Sequence, residues 1–92
     1  MQKVKVLIPQ PFSKITGGNS EVYVVCEDIR QAINILESNY PGIKEKIIDD
    51  NKKLKRYVNI YINDENVRFL NNLDSKIKDG DEVFILPAIA GG

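Results

Sequence analysis

The chain has 92 residues, with 13 lysines and arginines balanced by 13 aspartates and glutamates and a hydrophobic share of 42%, which describes one small globular domain without net charge. That balance excludes a general binder of nucleic acid or anionic membrane, which needs a basic excess. A single cysteine, Cys26, leaves no internal disulfide or cysteine metal cluster, and the lack of histidine removes the commonest general base and metal ligand. With no apolar run of membrane-spanning length and no signal-peptide-like start, the expectation is a soluble, cytoplasmic protein.

Lys3-Val4-Lys5-Val6-Leu7-Ile8 alternates and then turns apolar, which predicts a strand covered on one face and ended by Pro9 and Pro11. The cluster Thr16-Gly17-Gly18-Asn19-Ser20 predicts a turn that returns Glu21 to Val25 as the second strand of a hairpin. Gly17-Gly18 lacks the following helix that a phosphate loop needs. Cys26, just after that strand, reads as a small buried hydrophobe and not as a relay thiol.

Asp28 is placed to cap a helix whose apolar stripe is Ile29, Ala32, Ile33 and Leu36, and Asn39-Tyr40-Pro41-Gly42 stops it. Ile43 to Ile48 allows one or two further helical turns with Ile43 and Ile47 inward. Asp49 to Arg56 is a polar connection. Its Lys52, Lys53, Lys55 and Arg56 read as a solvated loop, some of which could meet an acidic partner.

Tyr57 to Ile62 is the clearest strand, with Val58, Ile60 and Ile62 on one face and Tyr57, Asn59 and Tyr61 on the other. Asn63-Asp64 turns it into a short strand expected at Val67-Arg68-Phe69. Asp79-Gly80-Asp81 is a tight turn feeding the last strand. Turn chemistry accounts for its carboxylates, and neither they nor Asp49-Asp50 have calcium-loop spacing. The order β, β, helix, β, short β, β predicts an α+β roll: a mixed sheet with one main helix packed across one face.

Three places then carry a resemblance: the Asp79-Gly80-Asp81-Glu82-Val83 turn, Pro87 at the close of the last strand, and Gly91-Gly92. With the strand order, they resemble the MoaD/ThiS family of ubiquitin-like sulfur carriers, over the whole chain. Arg56 to Phe69 and Ile85 to Gly92 are similar to the branch that carries sulfur for cysteine biosynthesis. The resemblance implies a ubiquitin-like β-grasp domain over residues 1–87 and a flexible tail over residues 88–92. It further implies that a ubiquitin-activating-type adenylyltransferase, using ATP and magnesium, converts the Gly92 carboxylate to an acyl-adenylate. A sulfur donor then displaces AMP and leaves a thiocarboxylate.

The chain has no G-x-x-x-x-G-K-[ST] loop and no histidine, so on this reading it is a protein substrate, binding no cofactor of its own, and not the enzyme. The implied acceptor is a pyridoxal-phosphate-dependent cysteine synthase. A molybdopterin synthase large subunit, a thiamine pathway, or lysine conjugation in the manner of a ubiquitin-like modifier remain open alternatives.

The residue readings converge on one surface. Gly91 gives clearance for a second backbone, while Ala88, Ile89 and Ala90 give reach, with Ile89 as the one anchoring side chain. If Val83 and Ile85 pack inward with Val4, Val6 and Ile8, then Phe84, Leu86 and Leu7 lie together outside, bordered by Tyr61, beside Pro87 and the tail. An exposed apolar patch rimmed by charge marks a partner site. The alternative for Phe84 and Leu86 is a strand buried on both faces.

Overall fold

The computed structural model describes residues 3–87. Five strands form one sheet: β1 (Lys3–Leu7), β2 (Glu21–Val25), β3 (Val58–Ile62), β4 (Glu65–Asn66) and β5 (Glu82–Pro87). Their order across the sheet is β2-β1-β5-β3-β4, and only the central β1–β5 pair is parallel. Val4, Val6, Val58, Ile60, Val83 and Ile85 point to one face and are buried there with Ile29, Ala32, Ile33 and Leu36 of helix α1 (Ile29–Asn39). The expected inward parity of three strands and the expected helical stripe thus meet in one core, the layered packing of an α+β roll.

Local chemistry fixes the ends of α1. The Asp28 carboxylate accepts from Gln31 N at 2.8 Å, satisfying one of the free donors of the first turn. Beyond the helix, Gly42 takes φ 103°, a left-handed angle, and the chain enters the single-turn helix α2 (Lys44–Ile47) with Ile43 and Ile47 buried. The Glu37 carboxylate ties the two helices together. It accepts from Lys44 N at 2.9 Å and from Gly42 N, and those two donors lower its pKa.

The β1–β2 connection is longer than a tight turn. Gln10–Phe12 forms a 3₁₀ turn that buries Phe12, and the buried Thr16 hydroxyl donates to the Ser13 and Asn19 carbonyls, so the loop folds on its own plug. Two expectations change in detail. Tyr57 lies just outside β3, which begins at Val58. Val67–Phe69 is a 3₁₀ turn and not a strand; the short edge strand is Glu65–Asn66. The cause is Asn66, whose side-chain oxygen accepts from Arg68 N at 2.9 Å and caps the turn. Val67 is buried in this turn, while Phe69 is 87% exposed. No helix among the described residues is long and apolar enough to cross a membrane.

Candidate functional site

The outer face of the sheet, opposite α1, gathers the predicted strand residues. Register places Phe84 directly between Leu7 of β1 and Tyr61 of β3, and Leu86 beside Asn59. Leu7, Phe84 and Tyr61 are half-buried, and Leu86, at 49% exposed, extends the patch toward the end of β5. Phe84 and Leu86 are therefore not buried on both faces. Pro87, half-buried, pairs with Val58 and closes the strand. Ala88, Ile89, Ala90, Gly91 and Gly92, the remaining predicted site residues, lie outside the described residues.

One rim of the patch is charged. Lys5 Nζ lies 3.6 Å from Glu82 and 4.0 Å from Glu21, and Lys3 Nζ sits 5.1 Å from the centre of the Tyr23 ring. Glu21 first, then Tyr23 and Glu82, raise the Lys5 pKa, so its ammonium is held in the charged form. The other rim is a polar network. Asn66 Nδ2 and Arg68 Nε both donate to Asn59 Oδ1 at 3.3 Å, and Arg68 Nη2 reaches the carbonyls of Lys55 at 2.7 Å and Val58 at 2.8 Å. Sequence reading missed this rim. The outward parity of Asn59 was visible, but nothing in the pattern around Arg68 announced a clamp.

The Asp79-Gly80-Asp81 turn sets where the patch sits. Asp79 Oδ1 accepts from Lys3 N at 2.8 Å, Gly80 N donates to Lys3 O, and Lys5 N donates to Asp81 O at 3.1 Å. Asp81 also accepts from Lys78 N and Asn63 Nδ2, so its carboxylate is spent on the turn. Gly80 needs its φ of 88° and not clearance, since a Cβ there would meet nothing within 4 Å. The turn stitches the start of β5 to β1 and fixes the parallel register that puts Phe84 beside Leu7. Cys26 contributes no reactive thiol: it is buried, and desolvation, with the charge of Asp28 second, pushes its pKa up to about 11.

Comparison with known proteins places this geometry. The chain is 47% identical over 91 residues to the sulfur carrier protein CysO of Mycobacterium tuberculosis, spanning 97% of this chain and 98% of that one. Its fold matches a chain in the crystal structure of the Amycolatopsis orientalis BexX/CysO complex with a TM-score of 0.91 and 42% identity, over 97% and 99% of the two chains. A more distant relative, the small archaeal modifier protein 3 of Haloferax volcanii, is 30% identical over 83 residues, 88% of this chain and 89% of that protein. The ThiS family matches residues 6–92, taking in the apolar patch from Leu7 through Pro87 and on to Gly92. The chain belongs to the ThiS family and is built as a ubiquitin-like β-grasp domain.

Proposed function

We propose that this protein carries sulfur as a thiocarboxylate on Gly92 and delivers it to cysteine biosynthesis. The observation that carries the reading is the 47% identity to a sulfur carrier protein over nearly the full length of both chains. The chemistry follows from the group involved. A carboxylate is a poor electrophile. Attack of its oxygen on the α-phosphate of ATP gives an acyl-adenylate and pyrophosphate, and a sulfur nucleophile then displaces AMP to leave C(=O)S⁻. A partner adenylyltransferase supplies the ATP and magnesium site, and a partner synthase binding pyridoxal phosphate supplies the electrophilic acceptor.

This chain's own residues present the terminus. The patch of Leu7, Phe84 and Leu86 docks on the partner, the Lys5–Glu82 and Arg68–Asn59 rims orient it, and Pro87 directs Ala88 to Gly92 into the partner's cleft. Ile89 seats in that cleft and Gly91 lets the walls close on the backbone. The similarity to a small archaeal modifier protein favours a second reading, in which the same activated carboxylate forms isopeptide bonds to lysines.

Intact-mass spectrometry after incubation with a ThiS-family activating enzyme, ATP and sulfide tests both. The expected result is a mass gain of one sulfur-for-oxygen exchange, localised to the fragment ending in Gly92 and absent when ATP is omitted. Localisation separates it from oxidation of Met1 or Cys26, which gives nearly the same gain. Lysine conjugates without a thiocarboxylate would replace the carrier reading with the modifier reading.

A further inference from the structure

Tyr57 lies outside the Leu7–Phe84–Leu86 patch, and its surroundings single it out. It stands next to Val58, which pairs with Pro87, so it sits where the described strands end and residues 88–92 follow. Its ring is 56% exposed, and Lys55 Nζ lies 6.0 Å from the ring centre. Burial in the core does not account for an aromatic side chain at this position.

The backbone under that ring is fixed. Val58 N donates to Lys55 O at 3.0 Å, which closes a turn with Arg56 and Tyr57 at its corner. Lys55 N donates to Ile47 O at 2.9 Å and ties the turn to the buried end of α2. Arg68 Nη2 donates to the carbonyls of Lys55, Arg56 and Val58, while Nε donates to the side chain of Asn59, the register partner of Leu86. One guanidinium thus holds both the turn that carries Tyr57 and the strand neighbour of Leu86. A tyrosine on an immobilised turn gives up only its own side-chain torsions on binding, which suits it to anchor an interface.

We propose that Tyr57 is a docking residue for the activating enzyme, placed where residues 88–92 begin. The proposal rests on the sulfur-carrier reading: the ring fills an apolar pocket of that enzyme next to the one that receives Leu86. Tyr57 touches the enzyme and not the reacting carboxylate, so its contact is the same before and during adenylation. Its loss therefore raises KM and leaves kcat nearly unchanged. Tyr23 supplies the contrast. It is also 56% exposed, with Lys3 Nζ 5.1 Å from its ring centre. It pairs with Lys5, which pairs with Glu82, so it is level with the start of β5 and not with Pro87.

The test follows pyrophosphate release from ATP by a ThiS-family activating enzyme, with the full chain as the varied substrate. Tyr57→Ala is expected to raise KM roughly tenfold, with kcat and the melting temperature little changed. Tyr57→Phe keeps the ring and should restore most of the loss. Tyr23→Ala should raise KM by less than about threefold. A parent KM in Tyr57→Ala, a loss no larger than that of Tyr23→Ala, a loss confined to kcat, or one that follows a fall in melting temperature would each overturn the proposal while the parent's own turnover upholds activation of Gly92. A parent chain that is never adenylated would overturn both.

Discussion

Arg68 reaches the carbonyls of Lys55, Arg56 and Val58 and the Asn59 amide oxygen through one planar fork. Removing it takes the donor from the part-buried Val58 carbonyl, which lies opposite Pro87, a residue with no N–H to offer. Arg68→Ala should therefore cost about 1–2 kcal/mol in denaturant unfolding, with Arg68→Lys recovering less than half, since an ammonium cannot span the fork. Lys52 works in the opposite direction. Its left-handed backbone costs about 1 kcal/mol, and Asn tolerates that angle, so Lys52→Asn should raise stability by about that amount in denaturant unfolding.

Cys26 gives a pH dependence. Its thiol is held protonated when folded, so its contribution to stability is complete below about pH 9 and is lost as pH rises toward about 11. Over that window the loss amounts to about 2–3 kcal/mol, measured as the difference in unfolding free energy between the parent and Cys26→Ala.

At the scale of the element, β5 shows how far alternation can be trusted. The sequence parity that put Val83 and Ile85 inward and Phe84 and Leu86 outward is the parity observed, because period two is unambiguous once several neighbouring strands agree on the core face. Val67-Arg68-Phe69 was misread for the same reason in reverse: three residues cannot establish a period, and a local cap from Asn66 decided the conformation. The two faces of β5 should separate cleanly in experiment. Ile85→Ala is expected to cost about 2–5 kcal/mol of stability, as a cavity in the core. Leu86→Asp is expected to change stability by less than about 1 kcal/mol while lowering kcat/KM of the activating enzyme by roughly tenfold or more.

Across the whole molecule, the domain, its single main helix and its sheet face were legible, because each rests on periodicity and turn residues that sequence displays. The meeting of Arg30, Lys44 and Lys52 around one hollow was not, because residues so far apart along the chain share a surface only once it folds. Deletion of Gly92 should abolish activation and leave the melting temperature unchanged. A fall in melting temperature would mean that the terminal residues pack on the domain.

The strand order has a consequence for biogenesis. β5 is the last of the described strands yet lies between β1 and β3, so within the sheet no strand joins the hairpin of β1 and β2 to the pair β3 and β4 until it is made. A nascent or prematurely ended chain holds two half-sheets with open edges, targets for degradation and not a domain. The outer face takes Phe84 and Leu86 from that same strand. An activating enzyme that grips the assembled face would therefore meet only molecules whose synthesis has run past β5, which makes the fold its own check on completeness.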